Sequence, residues 1–440
     1  MGAGRSVVAE LRIDEGSMTR SILGLAVAVM VAMLLAGCEQ DLLDGRPLVS
    51  ETAEPAAAGM AADRLQRLDA FIEEQIEAGQ IAGAQVMLAR NDLIVHNEVF
   101  GVRDWRDGTP VTHDTLWRIY SMTKPVTSVA VMMLHEQGHF GLDEPLADYL
   151  PEFVDMTVLG DDGPVPARRP ITIRHLLTHT AGFSYGFTRE GVDALYREAE
   201  LFAVDDLAAF SERLATLPLA FEPGSRWHYG VSTDVLGRLV EVVSGQGLDD
   251  FLAERLFEPL GMVDTFFEVP ADKLDRFGTN HRLNPETAEL EVVPDGALAG
   301  IRWQEVGLLS GGGGLVSTAN DYMRFARMLR GGGSLEGVRI LSPKTVDWMT
   351  RNHLPHDLAG AGVFGRSGAI GFGLGFAVID DAAGWSGRVG ATGEYWWAGA
   401  AGTLFWIDPE YDVIAILMIQ RFQAEPLRET FRTLVNAAIE

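Results

Sequence analysis

Ser121 and Lys124 stand three residues apart at the head of an apolar segment, separated by Met122 and Thr123. On a helix, residues at that spacing share a face, so a hydroxyl sits beside a primary amine. An amine whose proton is loosened by burial or by a neighbouring positive charge can accept the serine proton. Serine then becomes a nucleophile without a histidine. Both residue types are common on protein surfaces, so the spacing gains meaning only from what the rest of the chain sets around it.

Four other segments carry candidate chemistry. Residues 171–182 read as a short helix ending at Gly182, and residues 222–229 as a turn followed by the aromatics Trp227 and Tyr229. Gly311 to Gly314 precede a helix over residues 321–329; no Gly-Lys-Ser/Thr follows, so this run reads as a tight turn rather than a phosphate loop. Tyr395, Trp396, Trp397, Ala398, Gly399 and Ala400 lead into a strand. His135-Glu136-Gln137-Gly138-His139 matches a zinc-protease pattern literally. Zinc hydrolysis needs both histidines on one rigid helical face and a third ligand. Gly138 marks a helix end there, so no metal is expected. His175 and His179 share helical spacing and are expected to be structural.

The elements that must position these groups follow from periodicity. Leu65, Leu68, Phe71, Ile72 and Ile76 give residues 63–78 one apolar helical face. Residues 85–89 and 93–95, split by Arg90-Asn91-Asp92, predict a β-hairpin. Residues 121–137 are apolar nearly all round, which predicts a buried central helix, with Pro125 tolerated in its first turn. Residues 151–293 read as helical pieces and polar turns. Strand patterns return at 372–378, 402–407 and 413–419, and residues 426–438 read as a closing helix. Strands from both chain ends predict one antiparallel sheet flanked by helices, an α/β (α+β) body over residues 61–150 and 300–440. Residues 151–299 would form a mainly helical domain.

The formal charge of −27 argues against nucleic acid and against lying flat on anionic lipid. Residues 22–37 are an apolar run of 16 after Met18-Thr19-Arg20. That is short for a bilayer span, which needs roughly 20 residues. With small residues before its end, it reads as a secretory signal, with Met18 as a candidate start. Cys38, the single cysteine, directly follows Ala36-Gly37, and residues 39–60 read as a tether. About 380 residues remain for the folded part, without disulfide or thiol chemistry.

Together the ordered segments resemble the serine β-lactamase and penicillin-binding superfamily, closest to its class C-like carboxylesterases, over residues 63 to 438. The front end is similar to a bacterial lipoprotein signal, which implies lipidation at Cys38 and a periplasm-facing location in the cell envelope. The resemblance implies an α/β domain from both chain ends plus an all-helical domain, with the site between them, and a catalytic set of Ser121, Lys124 and Tyr229, with an oxyanion site made by the backbone N–H groups of Ser121 and Ala400. It implies no cofactor. Two departures bear on substrate. The usual Tyr-x-Asn motif is here Tyr229-Gly230-Val231, and the usual Lys-Thr-Gly is Trp397-Ala398-Gly399. Without that lysine a substrate carboxylate loses a charge-assisted contact of roughly 1.5–3 kcal/mol. Trp227, Tyr395, Trp396 and Trp397 offer apolar surface to an acyl or alcohol group instead. The expectation is a hydrolase of small neutral esters. A β-lactamase or D-Ala-D-Ala peptidase, and a non-catalytic binder of cell-wall fragments, are the alternatives. Whether the amine or the phenol is the base stays open.

Overall fold

The computed structural model describes residues 52–296, 301–355, 368–385 and 389–440, with Met1 and Leu358. The signal segment and Cys38 lie outside the described residues. The first helix, α1 (Ala62–Glu77), leads into β1 (Gly83–Arg90) and β2 (Leu93–Asp104). Asn91 and Asp92 join them with φ of 52° and 63°, the left-handed pair that a two-residue hairpin requires. A short β3 (Thr109–Pro110) completes that edge, and α2 (Thr123–Glu136) follows. The middle of the chain contributes α3 (Ile173–Leu177) and α4 (Ser232–Ser244), and then comes α5 (Ala319–Arg330). The C-terminal part supplies β4 (Ile370–Phe372), β5 (Ala377–Ile379), β6 (Tyr395–Ala398), β7 (Leu404–Asp408), β8 (Val413–Ile419) and α6 (Glu425–Ala437).

The strands form one antiparallel sheet of eight in the order β4-β5-β6-β7-β8-β1-β2-β3. The seam between chain ends is the β8–β1 pair, with Val86 opposite Leu417 and Leu88 opposite Ala415. Side chains alternate across a strand. Val86, Leu88, Ala415 and Leu417 therefore face one way and meet Leu68 and Ile72 of α1 and Phe431 and Val435 of α6. Met87, Ala89, Ile414 and Ile416 face the other way and join a core with α2 and α5. That second core runs on without a break into α3 and α4 of the mainly helical part.

Three sequence readings change. Residues 372–378 are two strands, not one: Gly373 to Phe376 turn the chain, Gly375 has φ of 99°, and a Cβ there would lie 2.3 Å from Ser128 Oγ. The middle part is not wholly helical, since it carries the ribbons Thr157–Gly160 with Gly163–Pro166 and Asn280–Leu283 with Leu290–Val293. The expected tether is joined to the fold by its last residues. Ala53 N–H donates to Ile94 C=O at 2.8 Å, and Ala58 and Met60 are buried beside α1 and α6.

Near α3 the chain makes a pH-sensitive cap. Thr172 Oγ1 accepts from His175 N–H at 3.2 Å, and His175 Nδ1 accepts from Thr172 N–H at 3.1 Å. Burial, and then Arg169, push this imidazole down to about 4. A protonated ring has no acceptor to offer. The contribution is fully present above the ordinary 6.5 and declines as pH falls towards about 4. The expected loss is about 2 kcal/mol after allowing for partial exposure. Gln at this position keeps the box, so His175→Gln should flatten the acid limb of thermal stability between pH 6.5 and 4. Parallel curves for the two proteins would contradict it.

Candidate active site

Ser121 lies in a 3₁₀ turn, Tyr120–Met122, that runs directly into α2. The serine therefore precedes the helix rather than opening it. Tyr120 has φ of 43°, a left-handed conformation costing a bulky residue on the order of 1–3 kcal/mol. The surroundings hold it there. Ile119 N–H donates to Leu315 C=O at 3.1 Å, Asn280 Nδ2 donates to the Tyr120 hydroxyl at 2.7 Å, and Tyr322 donates to Met122 C=O at 3.0 Å. Trp303 and Phe422 pack edge-on against the Tyr120 ring. The result is a serine aimed out of a rigid corner.

Lys124 is 1% exposed. A buried ammonium is costly unless its donors are met, and here all three are: Nζ donates to Tyr185 Oη at 2.7 Å, to Gly312 C=O at 2.6 Å and to Ser121 Oγ at 3.3 Å. Tyr229 Oη donates to Ser121 Oγ at 2.7 Å. Lys124 Nζ lies 4.8 Å from the Tyr229 ring centre. The structure thus brings Ser121, Lys124 and Tyr229 together, with the phenol nearer to the serine than the amine.

Tyr229 is fixed by rings on several sides. Trp397 is 5.3 Å away between centres, Tyr185 5.2 Å and His179 5.0 Å, and Trp227 stacks at 6.3 Å with 12° between planes. His179 is buried, and burial followed by the Lys124 charge holds its imidazole well below the usual range. It is a neutral wall for the phenol. Val231, where the related motif has asparagine, is buried in the core.

Sequence reasoning missed three supports. Tyr185 has no fixed spacing from Ser121, yet its hydroxyl oxygen accepts a hydrogen bond from Lys124 Nζ; burial, then Tyr229 and Asp234, push that phenol far up. Asp234, in the first turn of α4, is fully buried and accepts from Ser310 Oγ at 2.5 Å and Gly312 N–H at 3.0 Å. Burial raises its carboxyl against the pull of Lys124. Gly312, given no ligand from sequence, offers Lys124 its carbonyl. A Cβ on Gly312 would stand 2.5 Å from Asp234 Oδ2 and 3.0 Å from Tyr185 Oη, which explains glycine there.

A cavity of about 810 Å³ opens over Ser121 and Tyr229. Trp396, Trp397, Gly399 and Ala400 line one side, and Phe187 and Phe202 lie on its aromatic wall. Two expected pocket aromatics are placed elsewhere. Tyr395 is buried against Phe376, further along β6, and Trp227 backs Tyr229 rather than lining the cavity. Trp396 borders the cavity while its ring stacks on Trp385. The N–H groups of Ser121 and Ala400 belong to two segments that meet at the cavity. The His135–His139 pattern does not lie on one helix: α2 ends at Glu136, before His139, and Nδ1 of His135 lies 2.8 Å from Phe140 C=O.

A family model described as Beta-lactamase matches residues 68–438. The protein Rv1367c of Mycobacterium tuberculosis is 38% identical over 367 residues, covering 80% of this chain and 88% of that one. Esterase EstB of Burkholderia gladioli is 33% identical over 389 residues, covering 84% and 94%. Among solved structures, "EstCE1, a hydrolase with promiscuous acyltransferase activity" superposes with a TM-score of 0.73 at 27% identity, over 84% of this chain and 98% of that one. Because the match begins in α1, runs through the end of α6 and takes in the whole serine–lysine–phenol arrangement between them, the chain belongs to the beta-lactamase family of serine-hydrolase folds.

Proposed function

We propose that this chain hydrolyses neutral carboxylic esters through an acyl-enzyme on Ser121. The observation that carries the reading is the placement of Ser121 Oγ 2.7 Å from the Tyr229 phenol and 3.3 Å from Lys124 Nζ, at the floor of an open cavity. In the reacting form the Tyr229 phenol has first released its own proton to solvent, leaving a phenolate beside the Lys124 ammonium; this oxygen takes the serine proton as Ser121 Oγ attacks the ester carbonyl carbon. Lys124, with all three N–H bonds directed at oxygens, offsets the negative charge that builds up. The N–H groups of Ser121 and Ala400 receive the oxyanion. Its collapse breaks the C–O bond, and Tyr229 returns the proton to the leaving alcohol. A water, deprotonated by Tyr229, then attacks the acyl carbon; Ser121 leaves and regains its proton.

Trp397 in place of a cation disfavours anionic substrates, which places β-lactams and cell-wall peptides behind neutral esters. A cavity of about 810 Å³ is roomy for a small ester, which favours transfer of the acyl group to an alcohol as a second reading. Relatives named Monacolin J acid methylbutanoyltransferase and Lovastatin esterase accord with both. The assay is turnover of p-nitrophenyl butyrate beside nitrocefin, with and without added butanol. Ester turnover far above nitrocefin turnover supports esterase action, and butyl butyrate would mark transfer. Nitrocefin turnover equal to ester turnover would transfer the assignment to β-lactams, and stable acylation without release to a binding role.

For location, we propose anchoring of the mature chain in the bacterial cell envelope through lipid on Cys38. Cys38→Ala should move the protein from the membrane to the soluble fraction on cell fractionation. Unchanged partition would end that reading.

A further inference from the structure

The peptide linking Gly399 to Ala400 has its two polar ends on opposite sides. Its N–H is on Ala400, which lines the cavity together with Ser121; Arg428 borders the same cavity at its rim. The peptide C=O, on Gly399, accepts from Nη2 of Arg428, on the second turn of α6. Nε of the same guanidinium donates to Gly402 C=O at 3.1 Å, and Gly402 N–H donates back to Gly399 C=O at 3.1 Å. Arg428 thus grips the first and last residues of the four-residue turn that carries Ala400. A trans peptide is planar, with C=O and N–H pointing opposite ways. Fixing the carbonyl therefore fixes the direction of the N–H. A charged donor on the carbonyl also polarises the peptide and strengthens its N–H as a donor.

The grip is built on rigid parts. Leu427, Phe431 and Val435 hold α6 to the sheet. Gly399 is itself pinned from below: its N–H donates to Thr403 C=O at 2.8 Å, and a Cβ would lie 2.5 Å from Ile119 C=O, two residues before Ser121. The turn and the serine corner are in direct register. The guanidinium is largely buried, with Glu425 Oε1 3.8 Å from Nη1. Two backbone carbonyls, rather than that glutamate, take its best hydrogen bonds.

We propose that Arg428 is a positioning residue for the oxyanion site, aiming and polarising the Gly399–Ala400 peptide so that the Ala400 N–H meets the oxyanion formed at Ser121. This rests on the reading of Ser121 as the nucleophile. It acts in the transition state, so its loss should fall on kcat and spare KM. Displacing one oxyanion donor costs about 10- to 100-fold, less than removing it outright.

The experiment compares wild type with Arg428→Met and Arg428→Lys on p-nitrophenyl butyrate, and measures inhibition by phenylboronic acid, whose serine adduct puts an oxygen where the oxyanion forms. Arg428→Met should lower kcat about 10- to 100-fold with KM within about threefold, and weaken boronic-acid inhibition in parallel. Arg428→Lys, able to reach one carbonyl, should fall between. A kcat within twofold of wild type, a loss confined to KM, or unchanged boronic-acid affinity overturns the proposal. So does failure of both variants to fold, since the arginine would then serve the fold as a whole. Wild type that turns over no ester and takes no fluorophosphonate label fails the serine reading itself, a different result from active wild type with active variants.

Discussion

Ser121→Ala is expected to lower ester turnover by about 10⁴- to 10⁶-fold and to abolish labelling by a fluorophosphonate probe. The size follows from what is removed. Without Oγ there is no acyl-enzyme, and only cavity binding and the oxyanion donors remain to assist attack by water. The fold should tolerate the change. Lys124 keeps Tyr185 and Gly312 as acceptors, and Ser121 is only partly buried. Thermal unfolding should stay close to wild type, which separates lost chemistry from lost structure. Turnover within tenfold of wild type, or a label retained at another residue by mass spectrometry, would remove Ser121 from the centre of the reaction.

Tyr229→Phe is expected to lower kcat by about 10²- to 10⁴-fold, the usual weight of a general base. This substitution isolates one oxygen. The ring keeps its contacts with Trp227, Trp397, His179 and Tyr185, so the packing cost is small and the lost hydrogen bond is worth about 1 kcal/mol of stability. Lys124→Met is a less selective change, because it strips Tyr185 and Gly312 of their donor and empties a buried position of its charge. The comparison that decides the base is the kcat of Tyr229→Phe on p-nitrophenyl butyrate. A phenylalanine variant retaining more than a tenth of wild-type kcat would assign proton removal to the amine.

Much of this arrangement was readable in the sequence because it is written locally. The Ser121–Lys124 spacing, the hairpin at Asn91-Asp92 and the β8 run from Val413 to Ile419 each show in a window of a few residues. That strands from both chain ends share one sheet was also readable; that β8 and β1 form the seam was not. What escaped depends on approach in space. Tyr185 reaches Lys124 from a loop 61 residues later, and nothing in its neighbours marks it. Gly312 looked like a plain turn because the reason for glycine, Asp234 and Tyr185 pressed against its α-carbon, lies far away in sequence. Arg428 sits on an amphipathic helix where a basic residue reads as solvated surface. The tryptophans of 396–397 and Trp227 were visible as a group, but their division into cavity lining and support for Tyr229 is decided by strand facing and stacking.

The β8–β1 seam has a consequence for how the molecule comes into being. Residue 86 cannot meet residue 417 until the ribosome has made both. During synthesis the early hairpin presents a bare edge and an uncovered apolar face for most of the time the polypeptide is emerging. Such long-range pairing is slow to form, and the waiting intermediate invites aggregation. The nucleophile corner shares that delay, because its clamps at Leu315, Tyr322 and Phe422 arrive late. Truncated products should therefore be inert and insoluble, and a holdase that shields the nascent hairpin should raise the yield of active enzyme.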